Sequence, residues 1–246
     1  MNPRAQSAAP DAAIEFEALS DDAWLLRLGE VIDDALNARI HALAARLRAR
    51  APAWLRDLVP AYASLAVFFD SRAIDADAVR DWLRARCDET RDADHLQSLA
   101  PRAVESRTVE IPVAYGGEFG PDLATGAAEL GLSASALIQR HSEALYTVAM
   151  IGFAPGFPYL SGLDPALALP RLATPRTQVA AGSVAIGGAQ TGIYPRPGPG
   201  GWRLLGRTPL TLFDPSRAQP SLLLPGDRVR FLAIDATHFS RLQAQA

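Results

Sequence analysis

The chain has 246 residues, of which 49% are hydrophobic and 21% charged, with a formal net charge of −3 at pH 7. This length and apolar content can bury one large core or two smaller ones, and the near-neutral charge argues against general nucleic-acid binding. The longest apolar runs, SLAVFF and LYTVAMIGF, fall well short of the roughly 20 residues of a membrane-spanning helix. No membrane span is therefore predicted.

Two residue types are informative through their scarcity. The sequence contains no lysine, which excludes a P-loop and lysine-based Schiff-base or pyridoxal catalysis by this chain alone. Cys87 is the only cysteine, so an intramolecular disulfide and a cysteine metal cluster are excluded. No spacing of histidines typical of a metal site occurs, and no metal site is predicted.

The first part of the chain predicts a small α+β domain. Residues 1–13 have no apolar segment of the secretory type and are expected to form a disordered tail, which predicts a cytoplasmic location. A hairpin is predicted in IEFEAL and AWLLRL, followed by a helix from about Val31 to Ala51 that ends before Pro52. LVPAYASLAVFFD is predicted to be one strand, and Asp75 to cap a second helix. We expect residues 14–104 to form a two-layer domain of ferredoxin-like type.

The second part, residues 105–246, has a different texture. Two short helices are predicted in PDLATGAAELG and SASALIQRHSEA, the latter capped by Ser133. Short strands follow, with glycine and proline between them, and a tight turn is predicted in PGD at residues 225–227. Many short strands of this kind predict a closed or nearly closed β-barrel. The predicted strands are LYTVAMIGF, VAAGSVAIGG, GIYP, GWRLLG, PLTLFD and DRVRFLAI.

Charge is divided unevenly between the two parts. Residues 1–139 hold 14 Arg and 22 acidic residues, whereas residues 140–246 hold 10 Arg and five acidic residues, which together give the net charge of −3. A local excess of arginine suits an anionic small molecule, because forked guanidinium groups bind carboxylates and phosphates.

The segment from Gly152 to Thr208 is dense in glycine and proline next to aromatic residues and arginines. Such a run specifies backbone shape residue by residue and is typical of a site built from loops. Three aromatic residues alternate with glycine and proline in GFAPGFPYL: Phe153, Phe157 and Tyr159. They are expected to form either a core plug at one end of the barrel or an exposed ledge, and the two prolines favour the ledge for at least one of them. A ledge would suit a small ligand or the surface of another protein.

Four motifs in this order resemble the family of the B subunit of 5-oxoprolinase, also called the KipI or allophanate hydrolase subunit 1 family. They are YGGEFGPDL, GFAPGFPYL, TPRTQVAAGSVAIGGAQTGIYP and PGGWRLLGRT. The resemblance spans nearly the whole chain. It implies a small α+β domain followed by a cyclophilin-like β-barrel, which agrees with the division made from the sequence.

The resemblance also implies a function. A family member would act with 5-oxoprolinase subunits A and C in the ATP-dependent opening of 5-oxo-L-proline to L-glutamate, with ATP as co-substrate and magnesium supplied with it. Two alternatives stay open: a KipI-like protein that binds and inhibits a histidine kinase, or a carboxyltransferase-like subunit of the allophanate or urea amidolyase type. Prolyl isomerisation would rest on fold alone.

Opening a lactam with ATP needs anion binding more than an acid–base pair. We expect Arg207, His141 and Gln190 to serve in catalysis, and Arg207→Ala to abolish turnover with the fold intact. His141 is expected near a helix end, where the dipole favours a protonated imidazole. Gln190, Thr191 and Tyr194 are expected to offer polar groups in one short turn. The predicted substrate-binding residues are Phe153, Pro155, Gly156, Phe157, Tyr159, Arg171, Arg176, Thr191, Tyr194, Gly201, Trp202 and Thr208.

Overall fold

The structure of the protein is a computed structural model that describes residues 14–88 and 107–245. Contacts within the chain divide it into two compact units, residues 1–105 and 106–246. The predicted tail at residues 1–13 lies outside the described residues.

The first unit is a four-stranded antiparallel sheet with two helices, in the spatial strand order β1-β2-β4-β3. Its apolar core joins the two helices to the inner strands. The elements are β1 (Glu15–Ser20), β2 (Ala23–Arg27), α1 (Asp34–Ala49), β3 (Leu55–Pro60), β4 (Ser64–Phe69) and α2 (Ala76–Asp88).

The predicted two-layer α+β architecture of this unit is confirmed, with three corrections. Helix α1 begins later than predicted because the Asp33 carboxylate accepts a hydrogen bond from the Leu36 amide, 2.8 Å away, and caps the helix there. The single strand predicted in LVPAYASLAVFFD is wrong, because a turn closed by Ala61 N–H to Ser64 O splits it into β3 and β4. The element order ββαββα matches the ferredoxin-like order βαββαβ only if β1 is moved to the end.

The second unit contains the barrel. Its elements are β5 (Thr108–Tyr115), α3 (Leu123–Glu129), α4 (Ala134–Glu143), β6 (Leu145–Ile151), β7 (Pro158–Ser161), a 3-10 turn (Pro165–Leu167), β8 (Arg176–Val179), β9 (Ser183–Gly187), β10 (Gln190–Ile193), β11 (Gly198–Gly200), β12 (Arg203–Arg207), β13 (Arg228–Ile234) and α5 (Ala236–Gln243).

Seven of these strands close into a barrel in the order β10-β7-β6-β13-β5-β12-β9, with β9 paired to β10. The predicted barrel is thus confirmed. Strands β8 and β11 form a separate two-stranded sheet. Inside the barrel lies a continuous apolar core, to which α3 and α4 contribute Leu123, Ala127 and Leu137.

In the second unit, the predicted helix cap and tight turn are present, whereas one predicted strand is absent and one helix is additional. Ser133 caps α4 by accepting a hydrogen bond from the Ala136 amide, as predicted. The PGD turn is also present, with Gly226 at φ +89°. The strand predicted in PLTLFD is wrong: its one ladder contact is an isolated bridge between Phe213 and Ser221. Helix α5 was not predicted.

Candidate functional site

The barrel carries a second apolar cluster on its outer face. Side chains alternate between the two faces of a strand. Val184 and Ile186 of β9 belong to the interior core, so Ala185 between them faces outward. The outer cluster consists of Phe157, Val179, Ala185, Tyr194, Trp202 and Leu204.

Glycines in the strands make room for these rings. A Cβ at Gly187 would lie 2.5 Å from three atoms of the Trp202 indole, and one at Gly192 would lie 3.1 Å from the Phe157 ring. The first distance is shorter than real Cβ atoms show and the second is unusually tight, so the rings lie directly against the backbone of β9 and β10. Gly187 and Gly192 are therefore required for lack of space, and not for a special backbone conformation.

The rings of the cluster meet at their edges. The Phe157 ring stands edge-on to Tyr194 and Trp202, with centroids 5.2 and 5.6 Å away, and is tilted against the adjacent Tyr159 ring at 4.9 Å. Edge-to-face contacts of this kind add stabilisation beyond burial and fix ring orientation. Phe157 is 2% exposed and forms the floor of the group.

Beside these rings lies an open pocket of about 240 Å³. It brings together seven of the predicted site residues and three others from the segments around β8 and β11. The described lining contains a single charged residue, Arg171. The predicted residues are Phe153, Phe157, Tyr159, Arg171, Tyr194, Gly201 and Trp202, and the additional ones are Pro175, Pro199 and Gly200.

The Arg171 guanidinium lies over the Trp202 indole, 5.8 Å from the ring centroid. This cation–π contact orients the group without using its N–H donors. No other residue of the described ranges accepts a hydrogen bond from Arg171 or pairs with it. Arg171 lines the pocket, and its N–H donors are available to a ligand there.

The two phenols of the pocket stay protonated at neutral pH. Burial raises the pKa of Tyr159 and of Tyr194. The positive charge of Arg171 offsets part of this effect at Tyr159, as do a backbone hydrogen bond with Trp202 and the charge of Arg171 at Tyr194. The phenols are therefore neutral hydrogen-bonding groups and not bases.

Phe153 stands at the pocket rim in a strained conformation. It is the one non-glycine residue in the described ranges with a positive φ, +66°, and its side chain is 66% exposed. A bulky residue in the left-handed region is a real outlier, and such strain clusters at functional sites. Its ring meets Phe157 at 5.4 Å and Tyr194 at 6.4 Å. The ledge predicted for this motif is thus occupied by Phe153, and the core position by Phe157.

Pro155 and Gly156 belong to the loop between β6 and β7 and do not line the pocket. The Gly152 amide donates to the Phe157 carbonyl across this loop, 3.1 Å away. Gly156 has φ +79°, and a Cβ there would lie 2.7 Å from that of Phe213. The two residues shape the loop that presents Phe153.

Arg176 is held in an ion pair and does not line the pocket. Its two terminal nitrogens donate to the two carboxylate oxygens of Asp122 at 2.9 and 2.7 Å, and Asp122 also accepts from the Leu204 amide. This clamp fixes the start of β8, which follows the lining residue Pro175. Asp122 is 7% exposed and was not singled out in the sequence, although it lies in the motif YGGEFGPDL.

Arg207 and Thr208 also lie outside the pocket. Arg207 donates from Nε to the Ala181 carbonyl at 2.8 Å, and its guanidinium lies over Phe239 of α5, 5.9 Å from the centroid. Thr208 is buried, and its amide donates to the Gly182 carbonyl. These contacts join the end of β12 to the turn before β9.

His141 is fully buried inside the barrel, stacked on Phe231 at 4.8 Å. Burial lowers its pKa to about 3, so the predicted protonated imidazole is wrong. Its Nδ1 lies 2.8 Å from the Tyr115 hydroxyl and its Nε2 lies 3.0 Å from Thr191 Oγ1. Because Thr191 donates its own proton to the Ala185 carbonyl, Nε2 must donate to Thr191 and Nδ1 must accept from Tyr115. Both ring nitrogens are thereby satisfied.

The expected polar turn at residues 190–194 is a strand, which separates its members. Thr191 points into the barrel towards His141, whereas Tyr194 belongs to the outer cluster. Gln190 is half-buried next to Thr191 on β10 and does not line the pocket. Alternation along a strand puts neighbouring side chains on opposite faces, so the three groups cannot meet one ligand.

Neither a metal cluster nor a membrane-spanning helix occurs in the part of the chain that the structure describes. Residues 14–88 and 107–245 contain no group of three or more His, Cys, Asp or Glu side chains placed to hold a metal ion. Within the same ranges, every helix is too short or too polar to cross a membrane.

Residues 14–223 match the family described as carboxyltransferase domain, subdomain C and D. The chain is 42% identical over 222 residues to the B subunit of 5-oxoprolinase from Bacillus subtilis (strain 168), covering 89% of this chain and 92% of that protein. The chain therefore belongs to the carboxyltransferase subdomain C and D family and, within it, to the group of 5-oxoprolinase B subunits.

Solved structures agree with this assignment. The crystal structure of TTHA0988 matches with a TM-score of 0.73 at 42% identity, over 87% of this chain but only 40% of that longer one. The urea amidolyase of Kluyveromyces lactis matches with a TM-score of 0.75 over 98% of this chain and 16% of the enzyme. At 21% identity the second likeness concerns the fold alone.

Proposed function

We propose that this chain is a non-autonomous subunit of a multi-subunit 5-oxoprolinase, which hydrolyses 5-oxo-L-proline to L-glutamate with cleavage of ATP. The proposed partners are 5-oxoprolinase subunits A and C, and the proposed location is the cytoplasm, where ATP is supplied. The family relationship supports the substrate, since the Bacillus subtilis relative is named as the B subunit of 5-oxoprolinase.

The observation that carries the proposal is the composition of the pocket lining. The described lining offers aromatic rings, one guanidinium and two protonated phenols, but no carboxylate or imidazole. Such a site can bind and orient a small anion. The described lining has no general base to activate water, which supports a reaction that another chain completes.

The amide carbonyl of a lactam is a poor electrophile because of resonance. ATP supplies the phosphoryl group that turns its oxygen into a leaving group, and magnesium accompanies the nucleotide. In this scheme the pocket holds the ring while the partner subunits bring the nucleotide and the water. The match to TTHA0988, at 42% identity, spans only 40% of that longer chain. This supports the proposal that the unit works next to further polypeptide.

Arg207 and Gln190 do not line the pocket. Both remain proposed catalytic residues of the complex, at a site separate from the pocket. Arg207 uses Nε for Ala181, which leaves its terminal nitrogens for a phosphate. We therefore still expect Arg207→Ala to abolish turnover in the complex, with a retained cooperative thermal transition as the control for folding, since the loss of the contacts with Ala181 and Phe239 lowers its midpoint without unfolding the barrel.

Reconstitution tests the proposal. The chain is purified alone and mixed with subunits A and C, and glutamate release from 5-oxo-L-proline is followed with and without ATP. We expect release only when all three chains and ATP are present. A complete mixture that releases no glutamate, or subunits A and C releasing it equally well without this chain, would contradict the proposal.

A further inference from the structure

The geometry points to a division of labour within the proposed function: this chain alone recognises the substrate, as a small ring carrying a carboxylate. Arg171 binds the carboxylate, and the aromatic lining formed by Phe153, Tyr194 and Trp202 contacts the ring of the ligand. The identity of the ligand, 5-oxo-L-proline, rests on the proposed function. The class of ligand, a small cyclic carboxylate, rests on the pocket.

Charge selects the carboxylate. Arg171 and Arg176 are close in sequence but differ in what their guanidinium groups do. Arg176 is neutralised by both oxygens of Asp122, whereas Arg171 has only the Trp202 ring as its partner within the described ranges. A guanidinium fork held over an indole, with no acidic residue in the described lining, is complementary to a single carboxylate.

Size and polarity select the rest of the ligand. A volume of about 240 Å³ lies below the roughly 300–1,000 Å³ of sites for drug-sized molecules. Beyond Arg171, the lining is composed of aromatic rings, prolines and glycines. A triphosphate needs several cationic or backbone donors, so a nucleotide does not fit this lining. The proposed ATP site must therefore lie elsewhere in the complex.

Binding to the isolated chain tests this inference without any catalysis. Trp202 lines the pocket, whereas the other tryptophans, Trp24, Trp54 and Trp82, belong to the first unit. The indole N–H signal of Trp202 in ¹H–¹⁵N spectra, assigned with Trp202→Phe, therefore reports on the pocket. We expect 5-oxo-L-proline to shift this signal saturably, and 2-pyrrolidinone, the same ring without the carboxylate, to bind at least about tenfold more weakly.

The matched variants are Arg171→Gln and Arg196→Gln. Arg196 is also exposed and has no partner within the described ranges, but it does not line the pocket. We expect Arg171→Gln to weaken binding of 5-oxo-L-proline at least about tenfold and Arg196→Gln to leave it unchanged. A cooperative urea unfolding transition, followed through the Trp202 signal of each variant, shows that the barrel unit is folded.

Three results would overturn the inference: no saturable shift of Trp202 in the wild-type chain, equal binding of 2-pyrrolidinone, or wild-type affinity in Arg171→Gln. Failure of the proposed function looks different. Carboxylate-dependent binding that is lost in Arg171→Gln, together with a reconstituted mixture that releases no glutamate, would retain the ligand class and reject the reaction.

Discussion

Phe153 combines two properties that rarely occur together, an exposed aromatic ring and a left-handed backbone. Two substitutions of Phe153 separate the contribution of the ring from that of the backbone strain. Phe153→Gly removes the ring and relieves the strain, whereas Phe153→Ala removes the ring and keeps a Cβ at φ +66°. We expect both variants to bind 5-oxo-L-proline equally weakly, and the glycine variant to be more stable by about 1 kcal/mol. Urea unfolding and the Trp202 titration measure the two effects. An alanine variant as stable as the glycine variant would show that no strain is stored there.

His141 makes a separate prediction, about acid stability. Its pKa is about 3 in the fold and 6.5 for an ordinary histidine. On lowering the pH, the unfolded chain takes up a proton near pH 6.5 that the folded chain takes up only near pH 3. The stability due to neutral His141 is thus fully present above about pH 6.5. It is lost towards pH 3, with a limiting slope of about 1.4 kcal/mol per pH unit.

The free energy of unfolding in urea, measured from neutral pH to about pH 4, checks this slope. We expect His141→Gln to be less stable at neutral pH, since it disturbs a buried hydrogen-bonded chain, but to lose less stability on acidification. His238→Gln serves as the control and should keep the wild-type slope. Parallel curves for wild type and His141→Gln would show that His141 does not control acid stability.

Individual residues also show where sequence reasoning ends. The aromatic and arginine motif could be located from composition, and Phe153, Arg171 and Trp202 do meet in one pocket. The sequence could not separate Arg171 from Arg176, because what distinguishes them is a carboxylate 54 positions from Arg176, at Asp122. His141 was misjudged because its burial arises from strands far from it in the chain, β5 before it and β10 and β13 after it.

At the scale of elements, the pocket depends on how closely rings lie against the strands. A Cβ at Gly187 of β9 would lie 2.5 Å from the Trp202 indole, whereas one at Gly198 of β11 would meet nothing within 4 Å. We expect Gly187→Ala to displace Trp202, to shift its indole signal without ligand and to weaken binding of 5-oxo-L-proline. Gly198→Ala should change none of these. An undisturbed Trp202 signal in Gly187→Ala would contradict the packing described for the outer cluster.

Local elements were largely predictable, because their signals are local. The first hairpin, the Ser133 cap and the PGD turn each depend on a few adjacent residues. The split of β3 from β4 was missed because apolar residues continue through the turn. The strand predicted in GIYP begins two residues too late. A strand that begins at Gln190 places the side chains of Thr191 and Tyr194 on opposite faces, because side chains alternate along it.

At the scale of the molecule, the barrel depends on pairings that no local pattern encodes. Strand β13 pairs in parallel with β5 from Arg228↔Thr108 to Ile234↔Ala114, and β9 closes the barrel with β10. Short strands punctuated by glycine and proline predicted a barrel, but not which strands are neighbours. That order creates the pocket, because it brings Phe157, Tyr194 and Trp202 to one outer face.

The central claim is that this barrel binds the substrate for a reaction that other subunits complete. The most direct measurement is the KM for 5-oxo-L-proline of the reconstituted three-subunit enzyme containing Arg171→Gln, with Arg196→Gln as the reference. We predict a KM at least about tenfold higher for Arg171→Gln, with the KM for ATP unchanged. An unchanged KM for 5-oxo-L-proline would place substrate recognition on another chain and contradict the account.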